Sequence, residues 1–99
     1  MVNEFLLNRV NTAHSLLDEG QVEGALWVLR NIKLRIHDPN VINKIRDKEK
    51  TVENEYKTRY SSISGDATRQ MEQLSDLNLW RIKEYISFYD QILPEIDDR

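Results

Sequence analysis

The sequence predicts an all-α fold, a four-helix up-down bundle in which two short helices are followed by two long ones. Three observations carry this prediction. The 99 residues include three glycines and two prolines, so few positions interrupt regular structure. Hydrophobic residues recur every three or four positions in four successive segments, the spacing that places them on one face of a helix. No segment alternates apolar and polar residues for five positions with the β-branched enrichment of a strand.

The first two helices are predicted at residues 3–19 and 21–36, with Gly20 between them. Glycine tolerates the left-handed backbone conformation that commonly follows a helix end. In each segment six hydrophobic residues share one face, which we expect to enter the core. They are Phe5, Leu6, Val10, Ala13, Leu16 and Leu17 in the first helix, and Val22, Ala25, Leu26, Leu29, Ile32 and Ile36 in the second.

The last two helices are predicted at residues 39–62 and 66–93. Asp38 can cap the third helix, and Pro39 suits its first position, where the N–H that proline lacks has no partner in the helix. Asp66 can cap the fourth helix in the same way. The third helix has a narrow apolar stripe, whereas the apolar residues of the fourth cover a wide arc of about 200°. The arc comprises Ala67, Met71, Leu74, Leu77, Ile82, Tyr85, Ile86, Phe88, Tyr89, Ile92 and Leu93.

The unequal helix lengths predict a projecting arm. At 1.5 Å per residue, the first two helices span about 24 Å and the last two about 36–40 Å. Short connections make sequential helices antiparallel, so the outer part of the long pair extends past the short pair. Such an arm has little to pack against within one chain, and either it bends back or another molecule covers it. Its apolar residues are Tyr56, Tyr60, Ile63, Ala67, Met71 and Leu74.

Composition and charge exclude several functional classes. Without cysteine, the chain has no disulfide framework, thiolate zinc site or cysteine nucleophile. The start of the sequence lacks the pattern of a signal peptide, and no apolar run has the length of a membrane helix, which predicts a cytoplasmic protein without a membrane partner. A net charge of −3 and a pI near 5.4 give no overall attraction to nucleic acid. An acidic tail is predicted at residues 94–99.

Catalytic and metal-binding patterns are not found in the sequence. His14 and Asp18 lie one helical turn apart, a spacing that allows two side chains to share a metal, but no third ligand of matching pattern follows. The three glycines are scattered and cannot form a phosphate-binding loop. We therefore expect a protein that is not an enzyme and that has no cofactor or metal.

A nucleic-acid-associated regulator is the alternative function that the sequence leaves open. The third helix carries the only concentration of basic residues, and phosphate binding needs such charges on one face. Four acidic residues are interleaved with them, which is typical of a solvated helix face with ion pairs. The candidate contacts for this alternative are Lys44, Lys48, Lys50, Lys57 and Arg59.

Aromatic residues favour a protein–protein interaction module. Trp80 lies in the polar sector of the fourth helix, and tryptophan is enriched at binding hot spots. The wide arc of that helix indicates either a central position in the bundle or burial at a subunit interface. The preferred prediction is an adaptor or regulatory protein that forms a homodimer through the fourth helix and the arm. The candidate partner-binding residues are Trp80, Tyr85, Phe88 and Tyr89, followed by Trp27 and Leu34. For Trp80 the alternative is cover by the chain's own helices or loops, and for Trp27 and Leu34 burial in the core is slightly favoured.

Residues 13–40 resemble a single tetratricopeptide-type helical hairpin. In that family a small residue of the first helix meets an alanine of the second, a glycine ends the turn and a proline follows. Ala13, Ala25, Gly20 and Pro39 match these positions, although Pro39 comes two residues late. The family's aromatic position early in the first helix holds Arg9. The resemblance implies a peptide- or protein-binding role and assigns no ligand contact to a particular residue.

Overall fold

The computed structural model describes residues 4–95, and this part of the chain is all-α. It contains α1 (Glu4–Asp18), α2 (Val22–Leu34), α3 (Pro39–Ser61) and α4 (Ala67–Ile92), followed by a 3₁₀ turn at Leu93–Glu95. The predicted four-helix bundle, with two short helices before two long ones, is confirmed, and helix ends differ from prediction by at most two residues. Most of the tail predicted at 94–99 lies outside the described residues.

The helix boundaries form where the sequence supplies capping residues. The Asp38 carboxylate accepts a hydrogen bond of 2.9 Å from the Asn40 backbone N–H, and Pro39 occupies the first position of α3. The Asp66 carboxylate accepts one of 2.8 Å from the Arg69 N–H at the start of α4. Gly20 follows α1 with a φ of 78°, a conformation that glycine adopts without steric cost. From its Asp66 cap to Ile92, α4 runs without interruption.

The C-terminal half of α4 occupies the centre of the bundle. α1 and α2 pack against each other, both pack against α4, and α3 packs mainly against α4. The C-terminal part of the wide apolar arc is therefore covered from three sides within one chain, which explains its width there without a second subunit, whereas Met71 in its N-terminal part stays exposed. The core contains Leu6, Val10, Ala13, Ala25, Val28, Leu29, Ile32, Ile36, Val41, Ile45, Ile82, Ile86, Tyr89, Ile92 and Leu93.

The outer parts of α3 and α4 extend beyond this core as a two-helix hairpin. The core ends at Ile45 on α3 and resumes at Ile82 on α4, so we call residues 46–81 the arm and the other described residues the body. Within the arm, all of which the structure describes, Val52 and Leu77 are the buried residues. The molecule measures 51 × 27 × 17 Å, and its radius of gyration of 14.9 Å exceeds the ~13 Å of a compact domain of this length.

None of the helices within residues 4–95 is both long and apolar enough to cross a membrane.

Candidate functional site

An open groove lined mainly by apolar residues lies at the end of the arm, where the body does not cover it. It has a volume of about 360 Å³ and lies between the last turns of α3 and the first turns of α4. Tyr60 is 56% exposed and Met71 is 73% exposed, both high values for large hydrophobic side chains. We call this surface the arm-tip groove, and its lining residues are Tyr60, Ile63, Ala67, Gln70, Met71 and Leu74.

Side-chain hydrogen bonds fix the loop that closes the arm. The Gln73 amide donates to the Ser64 carbonyl at 2.9 Å, and its oxygen accepts from the Ser64 N–H at 3.3 Å. The Gln70 amide donates to the Gly65 carbonyl at 2.7 Å. These bonds tie the loop to α4, so the end of the groove is held in shape before any partner arrives, which lowers the entropy cost of binding.

Polar contacts also hold the base of the arm, which is the part of α3 and α4 nearest the body. The Arg81 guanidinium donates to the Glu53 carboxylate at 3.2 Å and lies 4.0 Å from the centroid of the Tyr56 ring. The Tyr56 hydroxyl donates to Asn78 Oδ1 at 2.9 Å, and its ring stacks on Tyr60 with centroids 6.2 Å apart. A continuous chain of contacts therefore connects the arm base to the groove.

Trp80, the first predicted anchor, lies on the arm but does not line the arm-tip groove. Its ring is half-buried beneath the guanidinium of Arg59, which lies 4.4 Å from the ring centroid. The Arg59 Nε also donates to Glu55 at 2.9 Å. The chain's own α3 thus shields part of Trp80, and two shallow depressions remain on either side of the ring.

Tyr85 and Tyr89 line a different feature, a cleft of about 180 Å³ where α2, α3 and α4 meet. Burial, followed by the nearby Glu53 and Glu49 carboxylates, raises the pKa of Tyr85 to about 12. Burial raises the pKa of Tyr89 further above its usual range. A Lys33–Glu49 ion pair of 3.0 Å spans the gap between α2 and α3.

The burial of Tyr89 removes it as an interface anchor. Tyr89 is 4% exposed and belongs to the core, and Phe88 is half-buried with its ring centroid 6.0 Å from that of Tyr89. The prediction of these residues as partner contacts rested on the width of the α4 arc. That width reflects the central position of α4, because helices on three sides bury a wider sector than one flanking pair.

Trp27 and Leu34 lie on the outer side of α2, at the body end of the molecule. Trp27 is 62% exposed and Leu34 is 75% exposed. Neither residue contributes to the arm-tip groove or to the cleft. The predicted partner-binding residues therefore fall into separate regions and do not form one site.

Three of the five basic residues considered for nucleic-acid binding face carboxylates. Lys44 pairs with Glu95, Lys48 lies 3.7 Å from Glu84, and Arg59 pairs with Glu55. The other two, Lys50 and Lys57, are exposed and have no ion-pair partner among residues 4–95. This pairing lowers the positive potential along α3 and favours a solvated outer face over a phosphate-binding one.

The histidine that the sequence singled out makes an interhelical contact. The His14 ring nitrogen lies 2.9 Å from Asp90 of α4, and both side chains are about half exposed. Asp18 is not its partner. Within residues 4–95, no group of three or more histidine, cysteine, aspartate or glutamate side chains is arranged to hold a metal ion.

Tyr60 and Met71, the exposed large hydrophobic residues of the groove, are not among the predicted anchors, although both were placed on the arm. The signal that identifies them is the difference in helix length rather than the residue type. Comparison of the chain with protein-family models, with curated proteins and with solved structures found no match.

Proposed function

We propose that this chain is a non-enzymatic protein–protein interaction module that forms a homodimer through the arm-tip groove. One observation carries the proposal: the arm projects from the body with two buried residues, while Tyr60 and Met71 lie exposed in a groove at its end. Exposed apolar surface of this kind, concentrated in one place, is typical of an interaction site.

The chemistry of the groove favours a second copy as its occupant. None of the six lining residues carries a charge, so two copies can face each other across a twofold axis without like-charge repulsion. Two antiparallel hairpins that meet in this way make a local four-helix bundle with Met71 and Leu74 of each chain at its centre. This arrangement gives the arm the second layer of helices that it lacks.

The size of the arm sets the expected affinity. Its 16 residues of α3 rise over about 24 Å, and two helices side by side measure about 20 Å across. This footprint is smaller than the ~800 Å² per partner that a standard stable interface buries, and it matches the size of weak interfaces. We therefore expect a dimer with a dissociation constant in the micromolar range.

The binding mechanism uses hydrophobic burial for affinity and surface charge for orientation. Apolar side chains of the groove leave water on association, while the ion-paired outer face of α3 stays solvated. The resemblance of residues 13–40 to a tetratricopeptide-type hairpin agrees with a binding role and adds no contact residue.

Sedimentation equilibrium of matched charge variants tests the proposal. Met71→Glu places a carboxylate in the groove, and Leu34→Glu makes the same change at a side chain of nearly equal exposure, 75% against 73%, at the other end of the molecule. We expect wild type and Leu34→Glu to dimerise at tens of micromolar and Met71→Glu to weaken dimerisation at least 30-fold. A wild-type chain that stays monomeric at 200 µM, or a dimer that Met71→Glu leaves intact, would refute the proposal.

A further inference from the structure

A second exposed surface lies at the opposite end of the molecule from the arm-tip groove. Trp27 and Leu34 are seven residues apart on α2, so they lie almost in line along the helix axis, on the side away from the core. With exposures of 62% and 75% they are among the most exposed large hydrophobic side chains of the described chain. We call this surface the α2 face, and it comprises Trp27 and Leu34 with the flanking Arg30 and Arg35; Phe5 and Arg9 of α1 adjoin it through Arg35.

Arginine side chains border the two apolar residues. Arg30 is displaced by about 60° from Trp27 around α2, toward the α3 side, and it is exposed. Arg35 follows Leu34 directly, and its guanidinium lies over the ring of Phe5, 5.0 Å from the centroid. The Arg9 guanidinium lies 5.2 Å from the same ring, so Phe5 links α1 to the α2 face.

These three arginines have no carboxylate partner within residues 4–95, unlike the ion-paired Lys33, Arg59 and Arg81. Arg9 and Arg35 bring two positive charges to one aromatic ring, an arrangement that a nearby anion stabilises. Glu23 is the one acidic residue on the exposed side of α2, a turn before Trp27. The α2 face is therefore apolar along its centre and positively charged at Arg35 on one edge, while on the other edge Arg30 lies near Glu23 and also lines the cleft that contains Glu49 and Glu53.

We propose that the α2 face binds an acidic amphipathic helix of a partner protein. A helix that presents apolar residues one and two turns apart can cover Trp27 and Leu34, whose spacing corresponds to two turns. Glutamate or aspartate beside that apolar stripe would then reach Arg30 on one edge and Arg35 on the other. Tryptophan and arginine dominate binding hot spots, which makes this combination of side chains suited to an anchor.

The inference does not depend on the dimer, because the two surfaces share no residue. If both hold, a homodimer joined at the arm tips carries two α2 faces at its far ends, with each protomer 51 Å long. One dimer could then bring two acidic helices together. The two proposals are tested with variants of different residues, so failure of one can be told apart from failure of the other.

Fluorescence titration in a Trp80→Phe background tests the inference, since Trp27 is then the sole tryptophan. The probe is a designed 18-residue helical peptide with leucine along one face and glutamate beside it, and the control probe carries lysine at the glutamate positions. We expect a blue shift of Trp27 emission with saturable micromolar binding of the acidic peptide, at least tenfold tighter than the lysine peptide. Doubling the salt concentration should weaken binding.

Variants separate the α2 face from other surfaces. A double change of Arg30→Gln and Arg35→Gln, which keeps both side chains polar, should weaken acidic-peptide binding at least tenfold. Lys50→Gln and Lys57→Gln on α3, and Met71→Glu in the arm-tip groove, should leave it within twofold; circular dichroism checks that each variant is folded. Equal binding of both peptides, absence of binding at 500 µM, or binding unaffected by the arginine changes would overturn the inference.

Further measurements test two other occupants of the α2 face. One alternative is a membrane surface, tested with vesicles of phosphatidylserine and phosphatidylcholine. If the protein binds these vesicles saturably, loses that binding with the double arginine change and does not bind the acidic peptide, the face binds a membrane and the inference is overturned. Loss of the dimer on Trp27→Ala, with no loss on Met71→Glu, would assign the face to a second copy and also overturn it.

Discussion

The body and the arm are built from the same two long helices, yet their interiors differ. In the body, α4 meets three other helices, and Ile82, Ile86 and Ile92 are at most 3% exposed. In the arm the same helix meets α3 alone, and it contributes Leu77 as its one buried residue. Because most helix stability in proteins comes from packing of the apolar face rather than from helix propensity, the two halves of α4 should differ in stability.

Polar contacts partly compensate for the thin interior of the arm. Ion pairs join α3 to α4 at Arg81–Glu53, over 3.2 Å, and at Lys48–Glu84, over 3.7 Å. Exposed ion pairs contribute about 0–1 kcal/mol each, whereas a fully buried isoleucine contributes about 1.5–3 kcal/mol. We therefore expect the arm to be the less stable region of the monomer and to gain stability on dimerisation.

The largest expected effect is the loss of unfolding free energy when a buried side chain is shortened in the body, compared with the same change in the arm. Ile82→Ala should lower the free energy of unfolding by about 3–4 kcal/mol, because the side chain is fully buried among three other helices. Leu77→Ala should cost about 2 kcal/mol or less, since the two-helix arm can collapse or admit water around the shortened side chain. Urea denaturation in the Met71→Glu background measures both without a contribution from dimerisation.

Hydrogen exchange provides the control for this comparison. Leu77→Ala should speed exchange at arm amides more than at the α1 and α2 amides, whereas Ile82→Ala should speed it throughout. Equal losses of unfolding free energy for the two variants, with uniform exchange, would mean that the arm is as well packed as the body.

The distinction between body and arm could be predicted from helix lengths, but the covering of α4 could not. Periodicity and the capping residues Asp38, Pro39 and Asp66 determine where helices begin, and these signals are local in the sequence. Which helix lies at the centre depends on how four helices pack in space, and a wide apolar arc is compatible with a central helix or with an interface. That ambiguity explains why Tyr89 was predicted as a partner contact although the core buries it.

Side-chain contacts between different helices also could not be predicted from the sequence. Arg59 and Trp80 are 21 residues apart in sequence, and no local spacing indicates that the guanidinium covers the ring. The position of Trp80 in the polar sector of α4 left open whether the chain covers it, and the structure shows partial cover by Arg59. Spacing likewise placed Trp27 and Leu34 together on one side of α2 but favoured burial of that pair in the core, whereas the structure leaves both exposed.

An intermediate effect compares two arginines that stack on aromatic rings. Arg81→Met removes an ion pair with Glu53 and a guanidinium 4.0 Å from Tyr56 at the base of the arm, and should lower the free energy of unfolding by about 1–2 kcal/mol. Arg59→Met removes similar contacts at a more exposed site and should cost about 0.5 kcal/mol. Thermal unfolding of both variants at matched concentration measures the difference.

The Arg81 side chain also carries a cost that limits this effect. Its Nε is buried without a hydrogen-bond partner among residues 4–95, and methionine relieves that unpaired donor. A more stable Arg81→Met variant would indicate that the unpaired donor outweighs the ion pair, and that the base of the arm is not held by polar contacts.

The smallest effect concerns the tyrosines of the cleft, and it appears only in alkaline solution. Because burial and the carboxylates of Glu53 and Glu49 raise the pKa of Tyr85 to about 12, its neutral form is favoured more in the folded chain than in the unfolded one. The stability that this contributes is fully present below pH ~10, the pKa of an exposed tyrosine, and is lost as the pH rises from there toward 12.

Urea midpoints at pH 7, 9, 10 and 11 should therefore fall above pH 10 in the wild type and fall less steeply in Tyr85→Phe. Tyr89→Phe should flatten the curve as well, since burial raises the pKa of Tyr89 further. The pH 7 midpoint of each variant corrects for any packing change that phenylalanine introduces. Curves that stay parallel across this range would show that both phenols ionise as readily in the folded chain as in the unfolded one. The cleft would then be a wet gap, and the α2–α3 side of the body would resemble the arm in its exposure to water.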